Sequence, residues 1–209
     1  MDLKKFSAQA LIIIISTIVL AITVSTNNLS LSTAAGISFL IILSSNFITK
    51  YIVAYILESK ISISFWSIYQ FGLRKDSHFK RPVPMIWLPI ILAFITRGMF
   101  WWLGVLSFDV EPRTERVAKR HGLYRFTQMT EWHIAWIAAF GIIVNLTLAI
   151  IGYLLGFELF AKLNIYFAVW SLIPLSDLDG NKILMASRIM WFVLAVIVAI
   201  FFGFALITV

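Results

Sequence analysis

The feature that most constrains this sequence is a series of apolar runs, several long enough to cross a lipid bilayer. A transmembrane helix needs about 20 mostly apolar residues. The runs occupy residues 8–24, 34–57, 85–108, 132–157, 162–175 and 188–209. Of the 209 residues, 61% are hydrophobic and 13% are charged, which is more apolar surface than a small soluble domain can bury. We therefore expect an all-α polytopic membrane protein.

Two basic loops determine the predicted topology. Loops 58–84 and 109–131 each carry five Lys or Arg residues, and short loops of this kind remain in the cytoplasm. If the run 85–108 crossed the bilayer, one of the two loops would lie outside. We therefore expect 85–108 to be a re-entrant hairpin that bends at Arg97 and Gly98. About five helices then cross, with the N-terminus and both basic loops cytoplasmic and the C-terminus outside.

The remaining composition limits the domain organisation and the partners. Neither a repeat nor a linker interrupts the chain, so residues 1–209 are expected to form one membrane domain. Segment 61–71 is rich in β-branched and aromatic residues and predicts a small cytoplasmic β element or an interfacial segment. The net charge of +7 lies mostly in the two basic loops, so the lipid bilayer is the expected partner and nucleic acid is not.

Two motifs in the last third of the chain carry a family resemblance. The first, at 140–149, contains Gly141 and Asn145 four residues apart. The second, at 164–181, contains a set of polar, glycine and proline positions: Asn164, Ser171, Pro174, Asp177, Asp179 and Gly180. Together they resemble the site-2 protease family of intramembrane zinc metalloproteases, in which G-P-x-x-N-L-L-L-A precedes N-x-x-L-A-x-F-N-L-L-P-x-x-P-L-D-G.

The resemblance covers about residues 34–183 and implies a site-2-protease-like helical bundle. The chain departs from the family pattern at three places. Ile142 replaces a proline of the first motif, Ser171 stands where the family has asparagine, and Ser176-Asp177 stands where it has proline.

The catalytic part of the family pattern is missing. The family carries H-E-x-x-H on an upstream helix, where two histidines bind zinc and the glutamate is the general base; the aspartate of L-D-G is the third ligand. No H-E-x-x-H occurs in this sequence. The best placement puts Asn46 and Lys50 at the ligand positions and Phe47 at the position of the base. We therefore expect no metal, no cofactor and no catalytic residue.

The loss of zinc would leave Asp179 as an uncompensated carboxylate in a low-dielectric bundle, which is costly. Lys50 could supply the compensating cation, and we predict a buried cluster of Lys50 and Asp179 with Asn46 as a hydrogen-bond partner. The alternatives are that Lys50 snorkels to the cytoplasmic interface, and that Asp177 and Asp179 form a solvated turn or begin the last helix. Gly141 and Asn145 also suit simple helix packing.

The resemblance without its catalytic residues implies a pseudoprotease. Such a protein would bind transmembrane helices, or act as a scaffold, chaperone or subunit for other membrane proteins. Two alternatives remain open. One is an active metalloprotease with ligands from a rearranged loop, drawn from the three histidines His78, His121 and His133. The other is a small transporter or channel built around Lys50 and Asp179, because ionisable residues within a membrane often mark a pathway.

Overall fold

The computed structural model describes residues 3–25, 32–70, 78–113 and 130–207. Most of these residues are helical. The helices are α1 (Leu3–Ser25), α2 (Ser32–Ile56), α3 (Leu88–Ile95), α4 (Glu131–Leu154), α5 (Glu158–Leu172), α6 (Asp179–Ala186) and α7 (Arg188–Ile207). The strands are β1 (Ser59–Phe65), β2 (Ser67–Gln70), β3 (His78–Pro84) and β4 (Leu106–Pro112).

Four of these helices, α1, α2, α4 and α7, are long and apolar enough to cross a membrane. The prediction of a helical membrane protein is therefore confirmed at this level. The predicted run 162–175 corresponds to α5, which has 15 residues. At 1.5 Å per residue α5 is about 22 Å long, shorter than the hydrocarbon core of about 30 Å.

The last third of the chain contains one helix that the sequence did not separate. The chain turns after α5, forms the eight-residue α6, breaks at Ser187 and continues as α7. The break has an extended backbone at Ser187, with φ −157° and ψ 113°. A short helix that begins with Asp179 therefore lies between the two apolar helices.

The predicted β element is present as two small antiparallel pairs. Strand β1 pairs with β4, with Ser59 opposite Pro112, and β2 pairs with β3, with Ser67 opposite Pro84. Ile61 on β1 and Phe108 on β4 are buried in a core that also contains residues of α2 and α4. The β1–β4 pair is therefore part of the helical bundle, packed against it along one face.

The hairpin predicted at 85–108 does not form one long helix. It consists of α3, a turn in which Arg97 and Gly98 have positive φ values of 52° and 74°, and an extended return to β4. Both ends of the hairpin form hydrogen bonds with Trp66. The Met85 amide donates to the Trp66 carbonyl, and the Trp66 amide donates to the Val105 carbonyl. The hairpin therefore begins and ends at the same level of the bundle.

Helix α4 lies at the centre, in contact with α2, α5, α6 and α7. Its buried positions include several small residues, Ala135, Ala138, Ala139 and Gly141. Small residues allow helix backbones to approach closely within a membrane. This close packing brings the polar residues of α2 and α6 to the same face of α4.

The two backbone hydrogen bonds at Trp66 place both ends of the hairpin at one level of the bundle. This arrangement predicts from which side of the membrane introduced cysteines can be labelled. The chain has no cysteine, so single cysteines can be introduced without a background. Cysteines at Lys60 and Glu111, which are exposed, should react with an impermeant maleimide from one side of the membrane. A cysteine at Leu155, 65% exposed, should react only from the other side.

Met99 at the hairpin turn is 90% exposed. A cysteine there should react with a lipid-soluble maleimide and resist the impermeant one from both sides, because a re-entrant turn ends within the bilayer. Labelling of this cysteine from the Leu155 side would contradict the re-entrant hairpin.

Candidate functional site: a buried lysine–aspartate pair

The centre of the site is an ion pair between α2 and the first residue of α6. The Lys50 Nζ atom lies 2.5 Å from Asp179 Oδ2. Lys50 is 8% exposed and Asp179 is 4% exposed, so both charges are removed from solvent. The structure therefore places Lys50 against Asp179, as the sequence predicts, and away from a snorkelling position at the end of α2.

Gly141 on α4 makes room for this pair. A Cβ atom at Gly141 would overlap the Lys50 Cε atom and lie 3.1 Å from Asn46 Nδ2. With glycine at position 141 the Lys50 side chain passes α4 without displacement, whereas a Cβ atom there would require the flexible end of Lys50 to shift. This explains physically why glycine suits the first motif here.

Asn46 has a different partner from the one predicted. Its Nδ2 atom donates a 2.9 Å hydrogen bond to the Gly141 carbonyl, and no bond joins it to Asp179 among the described residues. Asn46 lies one helical turn before Lys50 on the same face of α2. It therefore fixes α2 against α4, and so holds Lys50 in line with Asp179.

The turn after α5 positions Asp179. Helix α5 ends at Leu172, and Ile173 adopts the extended conformation with ψ 127° that a following proline favours. Ser176 has a positive φ of 47°, and its carbonyl accepts a 2.6 Å bond from Asn181 Nδ2. The chain thus reverses within a few residues and starts α6 at Asp179, where an acid also suits the positive end of the helix dipole.

Gly180 closes this turn against the end of α5. A Cβ atom at Gly180 would overlap the backbone carbonyl group of Leu172. Backbone atoms cannot move aside as a flexible side chain can. Glycine at this position therefore allows α6 to pack on the last turn of α5 and sets the depth at which Asp179 meets Lys50.

Lys182 and Phe108 also belong to the site, and neither was predicted from the sequence. Lys182 Nζ donates to the Phe108 carbonyl and lies 4.1 Å from the centroid of its ring, while Lys50 Nζ lies 4.6 Å from the same centroid. Two ammonium groups thus contact one buried aromatic ring, a favourable cation–π arrangement. The spacing of Asp179 and Lys182, three residues apart on a helix, could have indicated the second lysine.

Burial and the neighbouring charges shift the pKa of Lys182 in opposite directions. Burial lowers the pKa of the Lys182 ammonium, and the nearby carboxylates of Asp179 and Asp177 counteract this effect, while Lys50 adds to it. The pKa of Lys182 remains below its ordinary value. The site therefore contains one tightly paired lysine and a second lysine in a less favourable electrostatic position.

The other residues of the two motifs differ in burial and in hydrogen bonding. Asn145 and Asn164 are fully buried; Asn164 Nδ2 donates to the Phe160 carbonyl, whereas neither amide atom of Asn145 has a partner among the described residues. Ser171 is buried near the end of α5. Asp177 is half-buried and Pro174 is exposed.

The residues present do not fit the zinc ion that the resemblance implies. Lys50 is a cation committed to Asp179, Asn46 uses its amide nitrogen on Gly141, and Phe47 packs its ring 6.2 Å from the Tyr51 ring. Within the described ranges, no three His, Cys, Asp or Glu side chains are grouped as metal ligands.

Of the three histidines of the metalloprotease alternative, the two in the described part of the chain lie in different elements. His133 is in the first turn of α4, where it bonds to Thr130 Oγ1. His78 is the first residue of β3, and His121 lies outside the described residues.

Comparison of the chain with protein-family models, with curated proteins and with solved structures finds no match in any of the three. The resemblance to site-2 proteases therefore depends on the two sequence motifs alone.

The ion pair predicts an asymmetry between its two partners. Removing one charge of a buried pair costs about 3–5 kcal/mol. Asp179→Asn should reach this range, because it leaves the buried Lys50 without a carboxylate, next to the half-buried Lys182 at the same Phe108 ring. Lys50→Met should lower the free energy of unfolding by less, because Lys182 can still compensate Asp179. The measurement is unfolding of the purified protein in detergent.

The exposed Lys60 provides the matched control, since Lys60→Met should change stability by no more than about 0.5 kcal/mol. The double variant Lys50→Met with Asp179→Asn should be less destabilised than the sum of the single variants. Additive effects in this cycle would show that the two side chains are not energetically coupled.

Proposed function

We propose that this chain is a catalytically inactive, site-2-protease-like membrane protein that acts as a scaffold, chaperone or subunit for other membrane proteins. One observation carries the proposal: the Lys50 ammonium lies 2.5 Å from the carboxylate of Asp179. Asp179 occupies the position of the third zinc ligand in the motif that the chain resembles. A fixed cation of the protein thus stands where the family would hold its metal.

The surrounding residues support an inactive site. The three positions that correspond to two ligands and a general base hold Asn46, Lys50 and Phe47. A neutral amide is a poor zinc ligand, a protonated lysine cannot bind zinc, and phenylalanine cannot transfer a proton. The glycine of the second motif, Gly180, is retained. It lies where a Cβ atom would overlap the Leu172 carbonyl, so the position needs a residue without a side chain. The scaffold is thus kept while the chemistry is lost.

The proposed membrane arrangement has five crossing helices, α1, α2, α4, α5 and α7, and a re-entrant hairpin at 85–108. In this arrangement α5 starts at the outer surface and stops about 8 Å short of the inner one. The turn at 173–178 and Asp179 then lie within the bilayer on the cytoplasmic side. The polar groups of this turn provide hydrogen-bonding partners for a transmembrane helix that unwinds next to them.

One observation favours the second candidate, a small transporter or channel. The Asn145 side chain is fully buried and both its amide atoms lack a partner among the described residues. Buried polar groups of this kind are usually satisfied by water, and Asn145 follows Gly141 by one helical turn on α4. A hydrated path that reaches the Lys50–Asp179 pair would suit ion movement.

Restoring the family pattern tests the correspondence of positions. The triple variant Asn46→His, Phe47→Glu and Lys50→His places two imidazoles one helical turn apart, facing Asp179. We expect this variant to bind stoichiometric zinc, measured by elemental analysis of the purified protein. The double variant Asn46→His and Phe47→Glu is the matched control and should bind none, because Lys50 remains paired with Asp179.

Two results would contradict the proposal. Stoichiometric zinc in the wild-type protein would mean that the chain supplies a working metal site from other ligands, such as its histidines. A folded triple variant that binds no zinc would mean that 46–50 is not the helix that corresponds to the H-E-x-x-H segment.

A photocrosslinking residue at Leu175 tests the scaffold role. Leu175 is in the turn before α6 and is 38% exposed. We expect it to form a discrete adduct with a transmembrane segment of another protein in native membranes. The same probe at Phe192 on α7, 64% exposed, is the control and should capture lipid. Lipid adducts alone at Leu175, together with pH-dependent ion flux in vesicles, would favour the transporter instead.

A further inference from the structure

An apolar groove lies between α4, α5 and α7, at the end of the bundle where α4 connects to α5, and it plays no part in the proposed function. Its volume is about 220 Å³. Its floor consists of one alanine from each helix, Ala149, Ala161 and Ala205, all at most 5% exposed. The groove exists because three packed helices all present a methyl group at this level.

The shape of the groove suits a hydrocarbon chain. The rings of Tyr153 on α4 and Phe204 on α7 both line it and contact each other edge to face, with centroids 5.2 Å apart. Since an α-helix with side chains is about 10–12 Å wide, this contact excludes a second helix from the floor. Leu154 lines the groove and is 78% exposed, so the groove is open to the surrounding lipid.

The rim of the groove carries a cation. Lys162 lines it, and the Lys162 Nζ atom lies 5.8 Å from the centroid of the Tyr166 ring. Within the described part of the chain, the salt bridge that is formed joins Lys50 to Asp179. Lys162 therefore forms no salt bridge with a described carboxylate. Glu158, one helical turn before Lys162 on α5, also lines the groove.

We propose that this groove binds one acyl chain of an anionic glycerophospholipid, with the phosphate of the headgroup held by Lys162. The apolar floor accepts the chain, and the lysine adds charge complementarity to a negative headgroup. The site is separate from the Lys50–Asp179 pair, so its test is independent of the pseudoprotease proposal.

Native mass spectrometry of the whole purified protein tests this site, with phosphatidylglycerol and phosphatidylcholine of identical acyl chains as the probes. We expect one phosphatidylglycerol to be retained with about five-fold preference over phosphatidylcholine, the effect of one lysine at a membrane surface. Lys162→Gln should remove the preference. Lys60→Gln, a lysine away from the groove, should preserve it.

A substitution that fills the groove tests whether the groove binds the acyl chain of the lipid. Ala205→Leu should abolish lipid retention, because the added atoms occupy the floor. Gly203→Leu is the matched control on the same helix, since a Cβ atom at Gly203 meets nothing within 4 Å, and it should leave retention unchanged. If Ala205→Leu does not fold, the loss of preference in Lys162→Gln decides the proposal by itself.

Equal retention of both lipids by the wild-type protein would overturn the proposal. So would equal lipid binding by Ala205→Leu and Gly203→Leu. A photocrosslinking residue at Leu154 that captures a protein segment in place of lipid would show that the groove has a different occupant.

Discussion

The arrangement of the helices in this protein depends on one buried ion pair. Lys50 and Asp179 are both removed from solvent, and a buried charge is strongly unfavourable unless an opposite charge compensates it. Their contact therefore requires α2 and α6 to meet at a fixed depth beside α4. Gly180 removes a side chain that the Leu172 backbone would exclude, Gly141 leaves room for the Lys50 side chain, and the Asn46–Gly141 bond holds α2 against α4. The two glycines and the Asn46 side-chain amide thus all contribute to bringing Lys50 and Asp179 into contact.

The site differs from a simple salt bridge because a third charge is present. Lys182 contacts the same Phe108 ring as Lys50, and burial keeps the pKa of Lys182 below its ordinary value. Asp179 is the carboxylate that most opposes this effect, with Asp177 next. The pair is therefore embedded in a small network in which an aromatic face and two carboxylates share two cations.

Much of this organisation follows from the sequence, because its signals are local. Long apolar runs predict the spanning helices, β-branched residues predict the strand after α2, and a lysine inside an apolar run predicts a partner acid. The short α6, the bond from Asn46 to Gly141 and the participation of Phe108 were not predicted. Each depends on which segments meet in space, and no periodicity or spacing within one segment contains that information.

Trp66 joins the hairpin and the ion pair mechanically. Both ends of the hairpin bond to its backbone, and its ring stacks on Trp102, which in turn contacts Trp170 near the end of α5. The carbonyl of the next residue, Ser67, accepts a bond from Ser176 in the turn before Asp179. These contacts connect the hairpin, through the backbone of one tryptophan, to the turn that carries Asp179.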